Sequence, residues 1–225
     1  MLSGVWLLYF CFGMTVTSLA PLVRPITNEL NMNYTEMGRV LGAWQLVYIA
    51  TALPCGAMID RLGLRRSLLI ASVLVGFSCM MRGFAQGQLT LLLAVAFFGL
   101  GGPLISVGAP KLISIWFNER ERKLAMGIYI TGMALGSITV LSITNSVIMP
   151  WMDGDWRKIL WIYSSIVFLS GLIWLLISTH PESREMEVNL SKLERPPQGQ
   201  VFLALFNLLP LRITLLMGIC IFLYN

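Results

Sequence analysis

Few residues in this 225-residue chain combine side-chain type and spacing in a way that could do chemistry. The densest group reads Gly56-Ala-Met-Ile-Asp60-Arg61-Leu-Gly63-Leu-Arg65-Arg66 and lies between two apolar runs. Asp60 closes one helix there, and Arg65 and Arg66 open the next. The helix macrodipole disfavours an anion at the first place and cations at the second. An excess of basic residues on one membrane face accounts for the arginines, but not for the aspartate. Asp60 therefore calls for a specific partner, a nearby cation or the N-terminus of another helix. Gly56 stands four residues earlier on the same helix face, where the missing side chain lets a neighbouring helix approach. Gly63 permits a tight reversal.

Other polar groups are scattered through the apolar runs. Lys111 falls about 22 residues into the fourth run, about 33 Å along an ideal helix and hence near one surface. It either snorkels to the headgroups or, with Arg24 across a cavity, attracts an anionic substrate. Thr15, Gln45, Tyr48, Tyr129 and Asn145 could line a path, and each could equally face another helix. The stretch Leu92 to Gly102 holds no basic residue, and no Asp or Glu falls in the middle of a run. An intramembrane ionisable group would mark a proton relay, so this chain offers no obvious one. Cys11, Cys55, Cys79 and Cys220 have no metal-ligand spacing and read as buried free thiols. His180 is the only histidine. No catalytic residue, metal site or cofactor is expected, and a membrane-embedded enzyme is disfavoured.

The elements that must carry these groups are membrane helices. Apolar residues make up 56% of the chain and charged residues 12%, about half the charged share of a soluble domain. The net charge of +5 sits in clusters at the ends of apolar runs, as in membrane proteins. No basic residue interleaves with aromatics on a polar face, so lipid rather than nucleic acid is the partner. Six runs reach the roughly 20 residues that a spanning helix needs. They cover about Leu2–Val23, Gly38–Ile59, Arg66–Phe84, Leu89–Phe117, Ala125–Met149 and Ile159–Ser178. Pro25 to Met37 reads as a polar loop, and Asn33-Tyr34-Thr35 within it is a glycosylation acceptor pattern only in a eukaryotic source. Pro103 and Pro110 predict a bent fourth helix whose freed carbonyls neighbours must satisfy. The first run lacks the basic flank and cleavage site of a signal peptide and is retained as a span.

Residues 1–178 thus form a six-helix bundle, 179–200 a solvated linker, and 201–225 the start of a seventh helix too short to cross. Basic residues give the orientation. Arg61, Arg65, Arg66, Arg120, Arg122, Lys123, Arg184, Lys192, Arg195 and Arg212 fall on one side. Arg24, Arg39, Arg82, Arg157 and Lys158 fall on the other. The first side is expected to be cytoplasmic.

The loop from Gly56 to Arg66 resembles the signature G-x-x-x-D-[RK]-x-G-x-[RK]-[RK] of the major facilitator superfamily at every required position. Six spans, a long linker after the sixth, the charged cluster Glu119 to Lys123 and Trp156-Arg157 before the sixth span are similar to the family's layout. The stretch Gly102 to Lys111 resembles the branch of cyanate-type and other small-anion permeases. The resemblance implies an all-α polytopic protein of the plasma or bacterial inner membrane, the N-terminal half of a twelve-helix transporter. It implies that Asp60, Arg61 and Arg65, with Gly56, Gly63 and Arg66, form a conformational latch against the missing C-terminal six-helix bundle. A small polar or anionic solute would cross by alternating access, in a cavity offered by Arg24, Gln45, Tyr48, Lys111, Tyr129 and Asn145. The competing reading is a non-transporting remnant or assembly partner.

Overall fold

The computed structural model describes residues 1–179; the expected linker and seventh helix, with Cys220 and His180, lie outside the described residues. The helices are α1 (Leu2–Thr17), α2 (Val23–Glu29), α3 (Tyr34–Leu62), α4 (Leu64–Gly83), α5 (Gln88–Trp116), α6 (Glu119–Ile143), α7 (Met149–Trp151) and α8 (Trp156–Ser178). Joined across short irregular turns, they make six stretches long and apolar enough to cross a membrane: 2–29, 34–62, 64–83, 88–116, 119–151 and 156–178. The expected number of spans is therefore present, but several boundaries differ.

The first span is broken rather than continuous. Pro21 has no N–H for the carbonyl of Thr17, so α1 ends there and a 3₁₀ turn, Ala20–Leu22, intervenes before α2. The polar segment after Pro25 is not a simple loop. Pro25 falls in the first turn of α2, where a missing N–H costs no helical bond, and the helix continues to Glu29. The next helix starts four residues before the apolar run. The Asn33 side chain accepts from the Glu36 N–H at 2.8 Å, and the Asn33 N–H donates to the Glu36 carboxylate at 2.9 Å. This reciprocal capping box starts α3 at Tyr34. The charged cluster after Asn118 likewise forms the first turn of α6, with Glu119 and Glu121 at the favourable end of the dipole.

Helix α5 runs through both of its prolines. Pro103 frees the Gly99 carbonyl, and the Thr51 hydroxyl of α3 donates to it at 2.8 Å. The Cys55 thiol donates to the next carbonyl, Leu100, at 3.5 Å. Cys11, Cys55 and Cys79 are buried free thiols.

Side-by-side packing joins α1 with α6, α3 with α5, and α4 with both α5 and α8. Small residues set these crossings. A methyl group at Gly136 would stand 2.1 Å from the Phe10 carbonyl oxygen, and one at Gly13 would stand 2.1 Å from that of Met133. At Gly132 it would meet the Trp6 carbonyl at 2.7 Å, so Gly132-x-x-x-Gly136 is a close-packing seam against α1. Gly99 meets the backbone of α3 in the same way, 2.6 Å from the Trp44 carbonyl. Hydroxyls reinforce the seams: Ser78 donates to Ala94 O at 2.7 Å, and Ser164 to Gly76 O at 2.9 Å.

Candidate functional site

The turn between α3 and α4 is a single glycine. Gly63 has φ 81°, a conformation that side chains rarely adopt, and serves as the end of one helix and the start of the next. Its N–H returns to Ile59 O at 3.0 Å, which fixes Asp60 and Arg61 on the last turn of α3. Asp60 and Lys111, both singled out in the sequence, meet here. The Lys111 ammonium donates to the Asp60 carboxylate at 2.7 Å, bridging α5 to α3. This lysine thus has a carboxylate partner that the sequence alone did not assign to it. Its fixed neighbour is the carboxylate whose helix end most needs a cation. The pair is partly exposed, with 38% of the Lys111 side chain and 60% of the Asp60 side chain accessible. Arg61 and Arg66 are exposed, and the Arg65 carbonyl accepts from the Trp174 indole at 3.1 Å, which ties α8 to the start of α4.

A second feature lies deeper. Six rings follow one another across four helices: Tyr129 on α6, Tyr9 and Phe12 on α1, Phe98 on α5, and Trp44 and Tyr48 on α3. Successive centroids are 4.8, 5.9, 5.3, 5.5 and 5.8 Å apart. Those separations suit edge-to-face and offset contacts. Tyr48 lies against Gly102, where a methyl group would come within 2.9 Å of its ring, and its hydroxyl bonds Ser106 at 2.5 Å. The row thus joins two of the expected cavity residues, Tyr48 and Tyr129, through aromatic side chains that the sequence did not single out.

The other candidates are dispersed. Gln45 is exposed on α3, and Arg24 is exposed on α2. Asn145 sits on a π-helical turn, Thr144–Ile148, and donates to the Pro21 carbonyl at 3.1 Å, bracing the break in the first span. Thr15 is buried and bonds within its own helix, to Cys11 O at 2.8 Å.

Arg82 requires a correction. Counted by sequence among the charges at a membrane face, it is 2% exposed and points into the bundle. Its Nη1 donates at 2.9 Å to both Thr15 O and Ser18 Oγ, and its guanidinium stands 5.6 Å from the centre of the Phe98 ring. Side chains of a helix lean toward its N-terminus, so an arginine in the last turn of α4 leans back into the bundle.

At that same end, Glu29 holds two residues of the sixth span. The Trp156 indole and the Arg157 guanidinium both donate to its carboxylate, and Arg157 also donates to Ala85 O at 2.9 Å. The Trp156-Arg157 pair thereby fastens α2, the α4–α5 turn and α8 together.

Comparison with known proteins places this architecture. The sequence model described as the Major Facilitator Superfamily matches residues 5–225. The chain is 27% identical to the D-galactonate transporter of Escherichia coli O6:H1 over 73% of its own length and 37% of that protein's. It is 23% identical to the hexuronate transporter of Bacillus subtilis, over 89% of this chain and 46% of that one. With the chloroplastic ascorbate transporter of Arabidopsis thaliana it shares 24% identity, over 72% and 30%. The chain therefore spans less than half the length of these relatives. Its fold is similar to that of a crystallised bacterial homologue of the lysosomal transporter Spinster, at a TM-score of 0.68 and 18% identity over 78% of this chain and 42% of that one. With six membrane-length helical stretches among the described residues and a family match over nearly its whole length, this multi-pass integral membrane protein belongs to the major facilitator superfamily.

Proposed function

We propose that this chain is one six-helix half of a secondary transporter that moves a small organic anion, a sugar acid or similar carboxylate, by alternating access. The observation that carries the reading is the pair of open faces on α3 and α6. On α3, Gly38, Gly42, Leu46, Ile49, Leu53, Gly56 and Asp60 share one face at helical spacing. Leu46, Ile49 and Leu53 are 67%, 70% and 64% exposed, and a methyl group at any of the three glycines would meet nothing within 4 Å. On α6, Gly127 is equally open, and Ile130, Ile138 and Leu141 are exposed. Lipid requires no glycine, but a second bundle packed closely on these helices does. Relatives about twice as long or longer, named for galactonate, hexuronate and ascorbate, supply the solute class.

In this reading the Asp60–Lys111 pair belongs to the cytoplasmic end, with Arg61, Arg65 and Arg66. Asp60 exchanges Lys111 for a contact on the second bundle as the two halves rock about a midplane site. The aromatic row supplies a rigid wall, and the hydroxyls of Tyr48 and Tyr129 supply the polar contacts. Residues 179–200 form the linker and 201–225 begin the second bundle.

The test is uptake of labelled galactonate and glucuronate into vesicles containing the natural full-length protein, followed by stimulated counterflow. Saturable uptake that unlabelled sugar acid accelerates from inside supports the proposal. If none of these anions exchanges although the protein is folded and inserted, the non-transporting assembly partner becomes the better reading.

A further inference from the structure

We infer that Arg82 is a positioning residue that holds the break in the first span and, through it, sets where α1 places Tyr9 and Phe12 in the aromatic row. The inference rests on the transport reading only for its kinetic consequence; its geometric part stands alone.

Three observations meet at this residue. The first is its setting. Arg82 is sealed inside the bundle, and among the described residues no carboxylate pairs with it. A buried cation without a counter-ion is unfavourable, and intramembrane charges are kept where they do something specific. The second is what it grips. Its Nη1 donates to Thr15 O and to Ser18 Oγ, and Ser18 Oγ itself donates to Thr15 O at 2.9 Å. The three groups close a ring of hydrogen bonds at the C-terminal end of α1, the end whose dipole favours a cation. This is where the span is weakest, because Pro21 ends the helical ladder at Thr17. The third is what lies beyond. The guanidinium stands over Phe98, whose ring stacks on Phe12 of the same α1. One side chain of α4 thus fixes the broken helix and backs the wall that this helix carries.

A neutral amide could donate the same two bonds. The charge adds an attraction to the helix end and to the ring face that an amide lacks. The Arg82 Nε is buried with no acceptor among the described residues.

Native cysteines report on the seam. Cys11 on α1 and Cys79 on α4 are buried at 2% and 0% exposure, while Cys55 on α3, at 7%, lies on a different seam. The full-length protein in vesicles is treated with N-ethylmaleimide, and labelling of each cysteine is followed by mass spectrometry. Arg82→Met is expected to raise the labelling rate of Cys11 and Cys79 about tenfold, the factor that accompanies loss of a charge-assisted hydrogen bond. Cys55 stays at its wild-type rate. Arg82→Lys restores protection, Arg82→Gln restores it in part, and Ser18→Ala gives a smaller rise of about threefold for one neutral hydrogen bond. In uptake, Arg82→Met lowers the maximal rate, and Arg82→Lys recovers it.

Several results would overturn the inference. One is protection of Cys11 and Cys79 in Arg82→Met and Ser18→Ala alike. Another is a parallel rise at Cys55, which means general unfolding. A third is a raised solute constant at unchanged maximal rate, which puts Arg82 at the solute itself. Should the wild type transport no sugar acid, the transport reading fails while the labelling result still decides the role of Arg82.

Discussion

At the scale of single residues, the contact between Lys111 and Asp60 makes a sharp kinetic prediction. Exposed ion pairs of this kind contribute about 1 kcal/mol at most. Lys111→Ala and Asp60→Asn should therefore each lower the maximal uptake rate by no more than about fivefold. The apparent solute constant should stay unchanged, because the ammonium is committed to a carboxylate at a helix end. The exchanged pair, Asp60→Lys with Lys111→Asp, should recover part of the rate if mutual attraction is what matters. Initial uptake rates over a range of solute concentrations check all three variants, and a raised constant for Lys111→Ala alone would return that lysine to the solute path. The need for a partner was legible in the sequence, since an anion at a helix C-terminus is unfavourable wherever the helix sits. The identity of the partner was not. Lys111 follows Asp60 by 51 positions, and only the crossing of α3 with α5 brings them together. Arg82 was misread for a related reason. Counting basic residues near span ends treats every such arginine as a surface charge, whereas the lean of its side chain and the break in α1 decide where it goes.

Among the elements, the prolines give the cleanest test of how the spans hold together. Thr51 completes the carbonyl that Pro103 leaves free in α5, so Thr51→Val should destabilise the bundle by about 1–3 kcal/mol, the cost of a buried unsatisfied acceptor. In a Pro103→Ala background, residue 103 regains an N–H for Gly99 O, and the same Thr51→Val change should cost less. Thermal unfolding of the four proteins in one detergent measures the cycle, and equal costs in both backgrounds would mean that Thr51 acts on something else. The seam between α1 and α6 yields a second test. Gly136→Leu should fail to fold or lose several degrees of melting temperature, since even a methyl group there reaches the Phe10 carbonyl at 2.1 Å. Gly127→Ala, where nothing stands within 4 Å, should be neutral or stabilising by up to about 1 kcal/mol from reduced backbone freedom. Number and order of spans were legible because a membrane helix must be long, apolar and bounded by charge. Boundaries were less so. The capping box of Asn33 and Glu36 and the helical run through Pro25 are local hydrogen-bond matters that hydropathy does not sense. The aromatic row escaped because Phe12, Phe98 and Trp44 look like ordinary lipid-facing or core residues until four helices are packed.

For the whole molecule, the decisive feature is the contrast between two kinds of glycine. Those at positions 13, 99, 132 and 136 are filled by a neighbouring backbone, whereas those at 38, 42, 56 and 127 face open space. If the open face of α3 looks only at lipid, its glycines are dispensable, and a larger side chain there improves the helix. If a second bundle seats on it, the same change obstructs the moving interface. Gly56→Leu separates these cases, because Gly56 is one turn from Asp60 on the face that would close against the partner. In the full-length protein, Gly56→Leu should leave expression and insertion intact but lower sugar-acid exchange at least about tenfold, since misplacing positioned groups by about an ångström already costs an enzyme about a hundredfold. Gly56→Ala should fall between the two. The same leucine substitution in residues 1–179 expressed alone, should that bundle prove to fold, should leave its melting temperature unchanged or raised. Exchange at the wild-type rate in Gly56→Leu would mean that the α3 face is lipid-exposed throughout the cycle. The α3 face would then not be the surface on which a second bundle seats. Loss of exchange with the bundle's stability preserved would instead locate the function at this surface, where the sequence pattern and the open face of α3 coincide.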